Sequence, residues 1–265
     1  MKHIKVNSTK NSMELSRERD FPGASPVRNR YAILSSPRSG STLLSRMLFK
    51  TGMAGDPLEY LNPYLLKLER TRTGMNNLTY ADFVKDMERR RTSENGMFGM
   101  QIHYSHFISA FPGNKLTVPM ANFIRGFDKL IWVRRRDRMR QAVSFAIAQK
   151  TGAWSSEERK VVNIRNAAEV HPIDCLKALN IVCRNDYDWE TLIDTLKLDV
   201  HVVWFEDLTQ NYHEQSANVV RYLGLDSVVT SIPAPPIQRQ SSDLNEQVLD
   251  QLYAYLGLPE KQCQT

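Results

Sequence analysis

Cysteine is scarce in this sequence, and the three residues present (Cys175, Cys183 and Cys263) are odd in number and never spaced as CxxC. That argues against a disulfide framework and against a structural zinc site. Long apolar runs are missing too: nothing approaches the ~18 residues that a membrane span needs. The opening stretch MKHIKVNSTKNSMELS carries lysines with no apolar segment behind them, so it does not read as a secretory leader. A reducing cytoplasm is the default compartment. Internal repeats and low-complexity tracts are also absent.

What is present is enough for a folded enzyme-sized domain. The 265 residues are 42% apolar, which excludes global disorder and fits one large α/β domain or two small ones. The net charge of +6 points to anionic ligands. Nucleic acid, a membrane surface and a nucleotide cofactor all fit that charge, so its location along the chain must decide.

Residues 1–27 are polar and basic without either structural period, and read as a mobile arm ahead of a single α/β domain over 28–265. Tyr31-Ala-Ile-Leu-Ser35 is a short apolar run of the kind that makes a buried parallel strand. A tight loop, Ser36-Pro-Arg-Ser-Gly40, leads into helical spacing of Leu43, Leu44, Met47 and Leu48, stopped by Gly52. Further strands are expected at Met97–His103, Leu130–Val133 and Val200–Phe205. Helices are expected after the third strand, over 155–170 and 173–197, after Glu206-Asp207 as far as Leu223-Gly224, and from Asp243 to Leu256. The proline-rich stretch 231–242 must be irregular. Strands alternating with helices predict a P-loop-like parallel sheet covered on both faces.

The loop after the first strand has the makings of an oxyanion site. A helix N-terminus offers unpaired N–H groups and the positive end of its dipole, and Ser39, Gly40, Ser41 and Thr42 add a permissive turn and hydroxyl donors. Arg38 adds a forked cation suited to phosphate or sulfate. Measured against GxxxxGK[ST], both the first glycine and the lysine are missing, Ser35 and Ser41 standing in their places. Phosphoryl transfer needs that lysine and a bridging metal. A sulfuryl group carries less charge and can be held by side-chain cations and amides alone. The competing bland reading is an ordinary helix cap.

A second basic element, Arg134-Arg-Arg-Asp-Arg-Met-Arg140, follows the third strand directly, where ligands gather in open α/β sheets. Arg136, Arg140 and Ser144 are spaced at four and four, so an early-starting helix would place them on one polar face. A solvated cationic surface is the usual fate of such a run. Nucleic-acid binding is disfavoured because no aromatic platform is interleaved with the arginines.

Taken together, these motifs resemble the PAPS-dependent sulfotransferases (PAPS is 3′-phosphoadenosine 5′-phosphosulfate), and most closely the bacterial trehalose 2-sulfotransferase family. The matching stretches are YAILSSPRSGSTLL, GDPLEYLNP (Gly55–Pro63), IWVRRRDRMRQAVSFAIAQKTGAW (Ile131–Trp154) and WFEDL followed by a helix and LGL. The resemblance spans residues 30–255 and implies the sulfotransferase fold. It implies that Arg38, Ser39, Gly40, Ser41 and Thr42 bind the 5′-phosphosulfate, that Arg136 and Ser144 bind the 3′-phosphate with Arg239 reaching toward it, and that Glu59 is the catalytic base. It also implies sulfuryl transfer to a hydroxyl of a small acceptor, a sugar or glycolipid, with no metal, and a homodimer. Gln101 stands where the family usually shows a lysine, and the family's late tryptophan is missing from Asn245–Val248.

An attacking hydroxyl must lose a proton, and a positioned carboxylate or imidazole can take it. Glu59 has two rivals, Asp56 and His103; the latter lies where eukaryotic cytosolic sulfotransferases place a histidine. A structural ion pair is the bland reading of Glu59. His103 and His106 form an HxxH pair without a third ligand, so no metal site is expected. Asp207 reads as an N-cap rather than a metal-binding acid. Tyr60, Tyr64, Tyr104 and Trp154 are candidates to stack on a sugar ring or to serve in the core. Two rival functions remain open: a P-loop-type kinase or nucleoside triphosphatase, and a non-catalytic anion-binding module.

Overall fold

The structure, a computed structural model, describes residues 14–23, 25–111, 116–154, 170–236 and 243–259. Four strands pair in parallel: β1 (Asn29–Ser35), β2 (Met97–His103), β3 (Lys129–Arg134) and β4 (His201–Trp204), in the order β2-β1-β3-β4. All four fall where the apolar runs put them. In chain order the helices are α1 (Ser41–Lys50), α2 (Pro63–Thr73), α3 (Tyr80–Arg91), α4 (Tyr104–Ala110), α5 (Val118–Arg125), α6 (Arg138–Thr151), α7 (Pro172–Leu196), α8 (Phe205–Gln210), α9 (Tyr212–Tyr222) and α10 (Asp243–Tyr255).

The chain divides into two compact units, one of residues up to Arg134 together with Asn185–Pro236, the other of Arg135–Arg184 together with the residues from Ile237. The first unit holds the whole sheet. Alternate residues of β1 serve opposite faces, as the period of a strand requires. Ala32 and Leu34 join a core with Tyr60, Phe83, Phe107 and Trp189, whereas Tyr31 and Ile33 join one with Leu44, Met47, Leu48, Val219 and Val220. The sheet is therefore covered by helices on both faces, the α/β architecture expected from the sequence. Because β1 has β2 on one side and β3 on the other, the strand order reverses beside its carboxyl end. In an open parallel sheet that reversal point is where ligands bind.

Two helices that sequence periodicity did not suggest lie between α1 and β2. Each carries a start signal: Asn62 caps α2 ahead of Pro63, and Thr79 forms a capping box with Asp82 at α3. Residues Leu15–Phe21, read from sequence as part of the polar arm, pack on the end of α3; Leu15 is buried and the Phe21 amide donates to the Arg90 carbonyl. The helix after β4 is two helices rather than one, α8 and α9. Asp207 is not an N-cap: Trp204 occupies that position, and Asp207 lies in the first turn of α8, where a carboxylate favours the helix dipole.

In the second unit, α6, the first half of α7 and α10 share a core of Ala142, Val143, Ala146, Ile147, Cys175, Ala178, Val182, Val248, Leu249 and Leu252. The helix expected over 155–170 lies almost wholly outside the described residues. Within 231–242, residues 232–236 have no regular structure, in keeping with their prolines, and 237–242 are outside the described set.

Candidate functional site

The loop at the end of β1 turns through two left-handed residues, Arg38 (φ 62°) and Gly40 (φ 98°). Gly40 is the N-cap of α1 and supplies no side-chain cap, so the first amides of that helix are not claimed by a capping side chain. A Cβ on Gly40 would collide with the Phe205 ring at the start of α8. Only glycine satisfies both the backbone angle and that contact. Ser39 is fully buried, and its Oγ has no hydrogen-bond partner among the described residues. An unsatisfied buried hydroxyl inside a turn of left-handed residues at a helix N-terminus fits an anion ligand. Ser41 is buried and Thr42 exposed at the first positions of α1.

Next to this loop is a cluster of side chains on the carboxyl ends of β1 and β2. The parallel register sets Ser35 opposite His103, and the Ser35 hydroxyl lies 3.0 Å from His103 Nδ1. His103 Nε2 lies 3.0 Å from Glu59 Oε1, to which Gln101 Nε2 also donates at 3.1 Å. On the second carboxylate oxygen, Asn62 Nδ2 donates at 3.2 Å and His106 Nδ1 stands 3.5 Å away. Glu59 keeps 27% of its side chain exposed, so it is reachable by a substrate. The structure thus brings Glu59, His103 and Gln101 together, the last two being neighbours on the same face of one strand.

The electrostatics follow from the geometry. Loss of hydration pushes the Glu59 carboxyl up, but His103, through its charge and its hydrogen bond, together with His106 and Asn62, outweighs it and holds Glu59 far below the usual carboxylate range. His103 is pushed down by burial and, more weakly, by the Arg38 guanidinium, yet Glu59 and a hydrogen bond with the Ser35 backbone raise it above 6.5 on balance. The weak opposing push comes from the Arg38 charge in the neighbouring loop. His106 is lowered to about 4, chiefly by burial.

The rival carboxylate Asp56 is fully buried and engaged by Arg19 and Arg91, with Arg91 Nη1 at 2.5 Å. It has no role open to it as a base. Tyr60 is core: its ring packs on Phe83 and Phe98, and its hydroxyl donates to the Asp56 carbonyl. Tyr104 packs edge-on to Trp189, whose indole N–H donates to the Ser35 carbonyl, while Tyr64 and Trp154 keep large exposed faces.

Within the second unit, α6 begins at Arg138 with Asp137 as its N-cap, so Arg136 precedes the helix and does not share a helical face with Arg140 and Ser144. Arg140 is committed to Glu246 and Asp137, and Arg138 to Gln141. Arg136 is exposed and Ser144 buried. Arg239 lies outside the described residues. In the first unit, Arg134 stacks on Trp132 and Trp204 at 4.0 and 5.0 Å. Among the described residues there is no group of three histidine, cysteine or acidic side chains arranged to hold a metal.

Sequence reasoning named Glu59, His103 and the loop; it missed Ser35 and Asn62. Ser35 carries no signal beyond its place at a strand end. Asn62 is legible only as a helix cap, and its second hydrogen bond appears once the loop has folded.

Residues 30–254 match the family model described as Stf0 sulphotransferase. Trehalose 2-sulfotransferase of Mycolicibacterium smegmatis is 24% identical over 253 aligned positions, covering 82% of this chain and 91% of that protein. A solved sulfotransferase domain from the olefin synthase of Synechococcus PCC 7002 aligns over 91% of this chain and 98% of its own, at 16% identity and a TM-score of 0.39. With the match running from the second residue of β1 into α10, the chain belongs to the Stf0 sulphotransferase family.

Proposed function

We propose that this sulfotransferase moves a sulfuryl group from PAPS to a hydroxyl of a small carbohydrate acceptor by in-line displacement, with Glu59 as the proton acceptor. The observation that carries the reading is the pairing, at the carboxyl ends of β1 and β2, of a glycine-turned loop holding an unsatisfied buried hydroxyl with an exposed-edged carboxylate buttressed by two imidazoles. The sugar acceptor rests on the likeness to an enzyme named for trehalose. The same reading carries a cytoplasmic enzyme that works as a homodimer.

In this proposal the 5′-phosphosulfate is held by Arg38, Ser39, Gly40, Ser41 and Thr42. Arg136 and Ser144 take the 3′-phosphate, with Arg239 beside them. The donor, when bound, supplies the sulfuryl group and leaves as adenosine 3′,5′-bisphosphate. The remaining work belongs to the chain's own residues. Left-handed Arg38 and Gly40 turn backbone amides of the loop toward an anion, and the Arg38 guanidinium offsets charge gathering on the transferring oxygens. Glu59, ionised through the neutral range, receives the proton of the attacking hydroxyl as the new S–O bond forms. Its hydrogen bonds from Gln101, His103 and Asn62 fix the carboxylate's orientation before the acceptor arrives.

A direct test incubates the purified protein with PAPS labelled in its sulfate and a panel of mono- and disaccharides, with EDTA present. Labelled sugar formed by the wild type but not by Glu59→Gln supports the proposal. Labelled product formed equally well by the Glu59→Gln protein removes Glu59 from the chemistry.

A further inference from the structure

The loop that carries Glu59 is short, and its anchorage is unusual. Gly55 (φ 66°) passes so close to the carbonyls of Arg91 and Met97 that a Cβ would lie 2.9 and 2.8 Å from them. The next residue, Asp56, is buried and gripped by two guanidiniums: Arg19 from the N-terminal segment (Nε to Oδ2 2.9 Å, Nη2 to Oδ1 2.5 Å) and Arg91 from the end of α3. From Asp56 the hold passes to the catalytic loop through its backbone. The Asp56 carbonyl accepts from Leu58 N at 2.9 Å and from the Tyr60 hydroxyl at 2.5 Å. The Leu58 carbonyl accepts from Gln101 N on β2, and the Glu59 carbonyl accepts from Asn62 N.

The N-terminal segment is itself held at several points. Arg91 donates to the carbonyls of Glu14 and Ser16 and pairs with Asp20; Arg90 donates to the Leu15 carbonyl and pairs with Asp20. The Arg19 guanidinium also lies 4.2 Å over the Phe49 ring, at the end of α1. A fork donating to both oxygens of one carboxylate fixes direction as well as distance. Arg91 alone reaches only Oδ2 and would leave Oδ1 without the partner that the Arg19 fork supplies.

We propose that residues 14–21 are a positioning strap for the active site, with Arg19 setting the placement of Glu59 through Asp56. This rests on the reading of Glu59 as proton acceptor, which the test below checks separately. Arg19 touches neither substrate nor reacting atoms in this account; it is a positioning residue. Its removal is tolerable to the fold, because Arg91 still neutralises Asp56 and no buried charge is orphaned.

The experiment measures kcat and bisphosphate affinity for Arg19→Gln and Arg19→Lys, each in the wild-type and Glu59→Gln backgrounds, together with amide exchange at Leu58 and Tyr60. Displacing a catalytic group by a fraction of an ångström to one ångström costs up to about 10²-fold, so Arg19→Gln should lower kcat by roughly 10- to 10²-fold. Bisphosphate affinity should stay within about twofold, since the phosphate loop is not on this path. Arg19→Lys, which keeps the charge and loses the fork, should fall between. Faster exchange at Leu58 and Tyr60 should accompany the loss, and in the Glu59→Gln background Arg19→Gln should cost nothing more. An unchanged kcat, a parallel fall in affinity, or the full loss repeated in the Glu59→Gln background overturns the strap. A Glu59→Gln protein with near-wild-type kcat instead sinks the base assignment, and the strap with it.

Discussion

Substituting Glu59 by glutamine tests the electrostatic account at several points at once. The change keeps the size of the side chain and removes the negative charge that faces His103, His106, Gln101 and Asn62. In the wild type burial is the largest influence on His103 and lowers it, but Glu59, through its charge and its hydrogen bond and with help from the Ser35 backbone, raises it on balance; without that carboxylate the largest remaining influence, burial, pushes it down. A charge pair about 4 Å apart at an effective dielectric of ~20 attracts by about 4 kcal/mol before desolvation is subtracted. The net loss for a charge-assisted hydrogen bond is about 1.5–3 kcal/mol. For a chain of this size that lowers the unfolding midpoint by roughly 3–10 °C.

The sign with pH is fixed by both partners. His103, with its folded pKa raised, stabilises fully below its unfolded value of 6.5, and that contribution is lost as pH climbs through the higher folded value. Glu59, with its folded pKa depressed, stabilises above its unfolded value of 4.5 and loses that contribution as pH falls through the lower folded value. The two overlap between 4.5 and 6.5, so the midpoint difference between wild type and Glu59→Gln should be largest there and shrink at higher pH. Deprotonating His103 also returns basicity to Glu59, so kcat of the wild type should rise as pH passes upward through the His103 pKa. NMR titration of the His103 ring, calorimetric melting across pH and steady-state kinetics read these quantities. A His103 pKa that does not move in Glu59→Gln refutes the pairing; a kcat reduced less than ~10²-fold refutes Glu59 as the general base.

Other expectations follow from single contacts. Arg136→Ala should weaken adenosine 3′,5′-bisphosphate binding by more than ~1.5 kcal/mol, the loss of a charge-assisted contact, without moving the melting temperature; isothermal titration checks it, and unchanged affinity moves the 3′-phosphate elsewhere. Gly40→Ala should destabilise by about 1–3 kcal/mol, since it forces a side chain onto a residue at φ 98° and into the Phe205 ring. Adding Phe205→Leu should recover the part due to the collision but not the backbone strain, which thermal melts of the single and double variants separate. Trp189→Phe should cost about 1–3 kcal/mol by leaving the buried Ser35 carbonyl without its indole donor, read from denaturant unfolding.

The strands were legible because each is a short, largely apolar run, and a buried parallel strand needs little else; β1 and β3 end in polar loops, whereas β2 and β4 pass directly into α4 and α8. The loop at 36–42 was legible for a related reason: its serines, arginine and glycine have few uses in that order between a strand and a helix. The helices α2 and α3 escaped because their apolar residues are few and their polar faces wide, leaving only the caps at Asn62-Pro63 and Thr79-x-x-Asp82 as signals. The carboxylate cluster was half visible. Glu59, Gln101 and His103 could be named one by one, but only the parallel register of β1 and β2 and the bridge from Leu58 to Met100 bring the Glu59 loop to the strand bearing the other two. Arg19 and Arg91 gave no sequence signal, lying 37 and 35 residues from the aspartate they share. The spacing argument for Arg136 failed on a local point, since Asp137 caps α6 and starts it two residues later than that spacing needs.

The loop after β1 and the Glu59 cluster are proposed to serve sulfuryl transfer from PAPS. The most direct measurement is a calorimetric titration of the purified protein with adenosine 3′,5′-bisphosphate in the presence of EDTA, with ATP and Mg²⁺ as the control. Micromolar, metal-independent binding of the bisphosphate that is lost in Arg38→Ala, with little heat from ATP, is the expected result. No binding of the bisphosphate, or a clear preference for ATP with Mg²⁺, contradicts it.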